Sequence, residues 1–133
     1  MVKLSLQQLT AEADTIVRGT VTGQASAWNA QRSAIYTDVT VAVEEVIKGS
    51  PGATVTFRIA GGAVGDIGMR TSNDPVFRDG EQVIVFLATT GTTANVVGLH
   101  QGKYTVKNGT VTRDGRTLAV TDFIKAIRVG MTK

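Results

Sequence analysis

The chain has 133 residues and contains no cysteine, an absence that excludes several kinds of site at once. Disulfide frameworks, zinc–thiolate sites, iron–sulfur clusters and cysteine nucleophiles all require thiols. Histidine occurs only at His100, so a metal site or a general base has no second histidine to work with. None of the serines lies in a Gly-x-Ser-x-Gly motif. We therefore expect a protein that is not an enzyme and holds no metal ion or cofactor.

Aromatic residues are also scarce, at 5% of the chain. A single-strand nucleic-acid platform needs exposed rings along neighbouring strands. Only Tyr36, Tyr104 and Trp28 are candidates for exposed rings, because the four phenylalanines fit core positions. The net charge of +3 comes from basic residues of which no two are adjacent. A protein or glycan partner is thus favoured over nucleic acid.

Long apolar runs are missing as well, since no segment approaches the roughly 20 residues that span a bilayer. Residues 1–8 lack the continuous apolar core of a signal peptide. The composition, 42% hydrophobic and 19% charged, is typical of a globular domain. The length predicts one domain that covers residues 1–133.

The neighbouring carboxylates Glu44 and Glu45 do not form a catalytic pair, because adjacent residues of a strand face opposite sides. Glu45 falls in the inward register of its strand, which predicts either a bend in the strand or a cationic partner. Asp66, Asp74 and Asp79 could gather round a calcium ion, but their spacing matches no calcium loop. Turn-forming aspartates are the better interpretation.

Two helices are predicted at the ends of the chain. Ser5 and Gln8 form a capping box, which predicts an amphipathic helix over residues 5–13. Thr121 is the predicted cap of a second helix over residues 122–129.

The rest of the sequence is typical of strands. Residues 35–47 alternate apolar and polar side chains, and residues 53–59 are their predicted hairpin partner. Further strands are predicted over 14–23, with a bend at Gly19 or Gly23, over 82–88 as a central strand, and over 95–100. Asn108-Gly109 predicts a type I′ turn that joins hairpin strands over 104–107 and 110–112, and Asp114-Gly115 predicts another tight turn. The predicted core consists of Val39, Val41, Val43, Val55, Phe57, Val83, Val85 and Phe86.

Strands joined by hairpins indicate an antiparallel sheet, which in a small domain often closes on itself to remove its edges. The predicted fold class is mainly β: a single barrel-like domain of about six or seven strands with a short N-terminal helix and a C-terminal helix.

One connection is too long and too rich in glycine to be only a turn. Residues 61–79 break the strand pattern, and long loops in compact domains are often functional. Trp28 lies in another polar connection, so the two connections are predicted to meet at one end of the barrel. The predicted binding residues are Trp28, Asp66, Arg70, Asp74 and Arg78. In the alternative interpretation, Trp28 plugs the barrel end beneath an ordered loop.

Several segments in order resemble an uncharacterised group of exported bacterial domains that occur alone or beside matrixin-like metalloproteases. The resemblance rests on residues 13–21, Trp28, residues 35–37, VEEVIKG (43–49), Gly61-Gly62, residues 75–76, FRDGEQVIVFL (77–87) and Val97 with GLHQGKY (98–104). More distantly, the chain is similar to the netrin-like domains of the tissue inhibitors of metalloproteinases, which have an oligonucleotide/oligosaccharide-binding (OB) barrel.

The resemblance implies an OB-like antiparallel barrel and export to the periplasm or beyond. The start of the chain fits a trimmed signal peptide and a native start equally well. It does not imply the inhibitor mechanism, because the N-terminal cysteine that chelates the protease zinc has no counterpart here. The expected function is an exported, non-enzymatic binding module for a protease or another envelope partner. The alternative is an OB-type binder of single-stranded nucleic acid or oligosaccharide.

Overall fold

The structure is a computed structural model that describes residues 3–69, 76–113 and 115–131, without the side chains of Leu99 and His100. The protein is mainly β, with a helix near each end of the chain. The helices are Leu6–Glu12 (α1) and Val120–Met131 (α2). The strands are Thr15–Trp28 (β1), Ile35–Lys48 (β2), Thr54–Ala60 (β3), Gly62–Val64 (β4), Ile67–Met69 (β5), Gln82–Thr90 (β6), Thr93–Val96 (β7), Lys103–Thr105 (β8), Thr110–Arg113 (β9) and Arg116–Ala119 (β10).

The predicted capping box at the start of α1 is confirmed. The Ser5 hydroxyl accepts the Gln8 N–H at 3.1 Å, and the Gln8 side chain accepts the Ser5 N–H at 2.8 Å. The predicted cap of α2 is wrong, because the helix already begins at Val120 and Thr121 lies inside its first turn. β10 ends at Ala119 and leads directly into α2. The Val120 N–H donates to the Gly109 carbonyl at 2.9 Å, which joins the start of α2 to the turn before β9.

Five strands pair in a ring. β1 pairs with β2, β2 with β3, β3 with β7, β7 with β6, and β6 again with β1. The β3–β7 pairing is parallel and rests on one residue pair, Arg58 and Asn95, whereas the other pairings are antiparallel. β8 pairs with the same central strand, β6.

β1 bends at the glycines, as predicted. Its register against β2 shifts between Arg18 and Gly19 and again between Val21 and Gly23. A Cβ atom at Gly19 would lie 2.2 Å from the Ala42 carbonyl oxygen, so no larger residue fits this close backbone approach. The bends let one strand serve two neighbours, because bulges increase the local twist and curvature of a sheet.

The same shift explains the position of Glu45. Arg18 pairs with Glu45 and Gly19 pairs with Val43, so Glu44 is the extra residue of a bulge. Beyond it, Glu45 contacts α2, where its carboxylate accepts from Arg128 at 3.0 Å. Both expected explanations, a bent strand and a cationic partner, are therefore confirmed.

The core consists of two clusters on opposite sides of β1 and β6. The ring interior contains Val17, Val21, Val39, Val41, Phe57, Phe77, Val83, Val85, Leu87 and Val96, with Val43 and Val55 packed against it. The second cluster, between the ring and the two helices, includes Leu9, Ile84, Phe86, Tyr104 and Phe123. Phe86 was predicted to pack with Val83 and Val85 but lies on the other face, because β6 is buried on both faces.

The type I′ turn at Asn108-Gly109 is confirmed. Both residues have positive φ, 53° and 72°, and Lys107 and Thr110 exchange two backbone hydrogen bonds around them. Beyond the bridge between Lys107 and Thr110, the two predicted hairpin strands pair elsewhere: β8 pairs with β6, and β9 pairs with β10. The strand predicted over 95–100 begins earlier, at Thr93, and ends at Val96. Asp114 of the second predicted turn lies outside the described residues.

Residues 76–81, which we call the strap, close one end of the ring. Phe77 is buried in the interior and meets Phe57 edge-on, with the ring centroids 5.1 Å apart. Lys103 lies over the Phe77 ring, donates to the Val76 carbonyl and forms a 2.9 Å ion pair with Glu81. Both side chains of this pair are only 15% exposed.

The environment of Glu81 lowers the pKa of its carboxyl. Burial raises this pKa. The opposing effects are larger: the carboxylate accepts hydrogen bonds from Thr105, Lys103 and the Arg78 N–H, and it is attracted by the charge of Lys103, so the pKa is lowered overall. A carboxyl group whose pKa is lower in the folded than in the unfolded state stabilises the fold above its unfolded pKa of about 4.3. This contribution is lost as the pH falls through the pKa of the folded state.

Glu81→Gln is expected to lower the free energy of unfolding at neutral pH, where the wild-type carboxylate is paired. The difference from wild type should shrink as the pH falls below about 4.3, because Glu81 then becomes protonated in the wild type too. Urea unfolding at a series of pH values measures this. Parallel pH profiles for the two proteins would contradict the role of the ion pair.

Phe86→Ala is expected to lower the free energy of unfolding by about 3–5 kcal/mol, because its fully buried ring leaves a cavity between β6 and the helices. Val76→Ala is the matched control, since Val76 is 53% exposed and should change stability by less than about 0.5 kcal/mol. Urea unfolding compares the two. A loss below 1 kcal/mol for Phe86→Ala would refute its place in the core.

Candidate functional site

The end of the β1–β2 hairpin extends past β6. β6 pairs with β1 only over Thr15–Thr20, whereas β1 and β2 stay paired as far as Trp28 and Ile35. We call residues 24–39 the distal hairpin. Trp28 therefore ends a strand, whereas the sequence placed it in a polar connection.

The loop of the distal hairpin, residues 29–34, is organised by one side chain. The Asn29 carbonyl oxygen of the side chain accepts the Ser33 N–H at 2.9 Å, and its amide nitrogen donates to the Ser33 hydroxyl at 3.0 Å. The Asn29 N–H donates to the Ala34 carbonyl at 2.9 Å, and Arg32 takes a positive φ of 56°. The loop thus has its own hydrogen bonds and holds the strand ends in register.

Strands β4 and β5 form a small hairpin that packs against the distal hairpin, where the sequence predicted an irregular excursion. The Thr37 hydroxyl donates to the Gly61 carbonyl at 2.8 Å and lies 2.8 Å from the Ser26 hydroxyl. Gly62 has a φ of 131°, and a Cβ atom there would lie 2.3 Å from the Thr37 hydroxyl oxygen. The Ile35 N–H points to the Met69 sulfur at 3.3 Å. Glycine is required at this contact, and the two hairpins form one unit.

Large apolar side chains are exposed at this junction. Ile67 is 50% and Met69 is 38% exposed, and both lie on the same face of β5. Met69 contacts Ile35, which pairs across the strands with the half-buried Trp28. We call Trp28, Ile67 and Met69 the apolar patch; Trp28 is linked to it through its strand partner Ile35. Large apolar side chains exposed on one face are typical of surfaces that bind proteins.

The predicted site residues lie on different elements. Trp28 ends β1, Asp66 is exposed in the turn between β4 and β5, and Arg78 is exposed in the strap. Arg70 and Asp74 lie outside the described residues. The first part of the long segment packs against the strands of the distal hairpin at Gly62.

In the alternative interpretation Trp28 plugs the end of the barrel, but a residue of the long segment fills the ring interior instead. This residue is Phe77, which is 4% exposed and belongs to the interior cluster. Trp28 is half-buried and is not among the residues of that cluster in the described part of the chain.

A second surface, which the sequence interpretation missed as a site, lies on the outward side of β2, β3 and β7. The Arg58 guanidinium carbon stands 3.7 Å from the centroid of the Tyr36 ring. Arg58 also donates to both carboxylate oxygens of Asp38, at 2.9 and 3.3 Å. We call this surface the open face: Tyr36, Asp38, Thr40, Thr56, Arg58 and Asn95. The alternation of residues 35–47 already marked the β2 members as outward-facing, but their partners on β3 and β7 depend on strand pairing.

Within residues 3–69, 76–113 and 115–131, no group of three histidine, aspartate or glutamate side chains could hold a metal ion. The side chain of His100 lies outside the described part.

Tyr104, a candidate exposed ring, is instead 8% exposed beneath α2. Among the described helices, none is long and apolar enough to cross a membrane.

Comparison with known proteins does not assign the sequence to a family. The sequence matches no protein-family model, and it matches no curated protein.

Gly62→Ala is expected to destabilise the protein by more than about 1 kcal/mol and to shift the fluorescence of Trp28, the only tryptophan, to longer wavelength. The added Cβ atom would meet Ser26 and Thr37 and separate the two hairpins. Gly68→Ala is the control, because its Cβ atom would have only one neighbour, at 3.9 Å. Equal spectra and stabilities for the two variants would contradict this packing.

Proposed function

We propose that this chain is an exported, non-enzymatic binding module with an OB-like barrel, and that it binds a protein partner through the apolar patch. The partner class is a protease or another component of the cell envelope. The observation that carries the proposal is the exposure of Ile67 and Met69 on a hairpin that packs at Gly62 against Thr37 of the distal hairpin.

The order of pairing in the ring supports an OB-like barrel. Taken along the chain, the five ring strands pair in the order first, second, third, fifth, fourth and back to the first. The OB-fold is a five-stranded Greek-key barrel that binds ligands on its second and third strands and on the loop after the first strand. In this chain that loop is residues 29–34, which belong to the distal hairpin.

The physical chemistry of the patch favours a protein as partner. Interfaces concentrate their binding energy in a few aromatic and large apolar side chains that lose water on binding. Asp66, which directly precedes Ile67, is exposed and negatively charged, and this charge repels a phosphate backbone.

A second candidate function, binding of single-stranded nucleic acid or oligosaccharide, is favoured by the open face. Tyr36 and Arg58 lie on β2 and β3, the second and third strands of the ring, where OB-folds bind such ligands.

The double variant Ile67→Asp with Met69→Asp tests the first candidate. Proteins from envelope extracts that bind the wild type are identified, purified and titrated against both forms. The dissociation constant is expected to rise at least about tenfold, about 1.4 kcal/mol, because two charges enter an apolar contact.

Leu118→Asp is the control, because Leu118 is 37% exposed on β10, on a different hairpin. It should leave the affinity for the purified partner unchanged. Equal affinity of the wild type and the double variant, or a loss caused by Leu118→Asp alone, would refute the apolar patch as the binding surface.

A further inference from the structure

The open face holds a charge pair in a fixed orientation. Asp38 binds Arg58 through the guanidinium Nε and one terminal nitrogen, and Tyr36 supports the guanidinium plane from one side. The hydrogen bond to Asp38, first among several causes, raises the pKa of Arg58 above its ordinary value. A guanidinium has five N–H donors. Since two point to Asp38, three remain for a ligand.

The rest of the open face offers further polar groups in the same plane. The hydroxyls of Thr40 and Thr56 lie 3.2 Å apart across β2 and β3. Asn95 pairs with Arg58 across β3 and β7 and is exposed, so its amide continues the row beyond Arg58. Hydroxyl, amide, carboxylate and guanidinium groups thus follow one another along neighbouring strands.

The charge of this face and its lack of large exposed apolar side chains decide which ligand it suits. Asp38 and Arg58 neutralise each other, and the face has no other charged residue, so it lacks the excess of positive charge that attracts phosphates. None of the seven large hydrophobic residues exposed in the described part of the chain lies on it. The open face therefore fits neither a nucleic-acid backbone nor an apolar protein anchor.

We propose that the open face binds a neutral oligosaccharide. Neighbouring sugar hydroxyls both donate and accept, so they can pair with the remaining Arg58 donors, the free lone pairs of Asp38 and the hydroxyls of Thr40 and Thr56. The pair of Arg58 and Asp38 is already ordered by Tyr36, which reduces the conformational entropy lost on binding. This inference rests on the second candidate function and narrows it to one class of ligand.

Calorimetric titration with cellohexaose, maltohexaose and hexa-N-acetylchitohexaose tests the proposal, with a thymidine oligonucleotide as the anionic probe. We expect at least one hexasaccharide to bind, with an affinity that does not change when the salt concentration is raised. Arg58→Lys should weaken this binding at least about tenfold, because lysine keeps the charge but loses the planar, two-pronged contact with Asp38.

Arg116→Lys is the matched control, since Arg116 is exposed on β10 and should leave the affinity unchanged. If the urea-unfolding curves of the two variants are equal, the weaker binding of Arg58→Lys results from the lost contact and not from unfolding. Salt-dependent oligonucleotide binding that Arg58→Lys weakens would overturn the neutral ligand but keep the second candidate function. Absence of binding by all four probes would overturn both, and the test of the apolar patch would stand independently.

Discussion

The pairing of β1 with both β2 and β6 is the constraint on which the rest of the structure depends. A strand that joins two neighbours round a small ring must bend sharply, and β1 bends where its register against β2 shifts. At Gly19 the backbones approach so closely that a side chain would meet the Ala42 carbonyl. The bulge at Glu44 on the opposite strand turns Glu45 towards α2, where it binds Arg128. The bend thus shapes the ring and also attaches the C-terminal helix.

The ring leaves the outer half of β1 without β6 as a neighbour, and the two described parts of the long glycine-rich segment contact β1 there. Its last part, the strap, places Phe77 in the ring interior and secures it through the ion pair of Lys103 and Glu81. Its first part forms the β4–β5 hairpin against the distal hairpin at Gly62. A segment that looked like a functional loop therefore also contributes to the core, through Phe77.

The distal hairpin and the adjoining strands present two surfaces of different chemistry. One side carries the exposed Met69 and Ile67 of the β4–β5 hairpin, where water is easily displaced from apolar atoms. The outward side carries Arg58 and Asp38 in a neutral, hydrogen-bonding arrangement. Sequence reasoning selected Trp28 and its neighbouring long segment because a tryptophan among polar residues has no periodic reason to be buried. It missed Arg58, because an arginine at an outward position of a strand resembles any solvated residue.

The sequence by itself determined the local structure: the capping box at Ser5, the alternation of β2, and the turn at Asn108-Gly109. These features depend on hydrogen bonds and backbone dihedral angles within a few residues, so a short window of sequence contains their cause. Only the tertiary structure decided which strands close the ring, and that β6 carries Phe86 on the helix side rather than in the ring interior. Strand pairing joins residues far apart in the chain, and an apolar strand buried on both faces does not show which face meets which partner. The open face also depends on strand pairing, because Arg58 meets Asp38 and Asn95 only when β3 lies between β2 and β7.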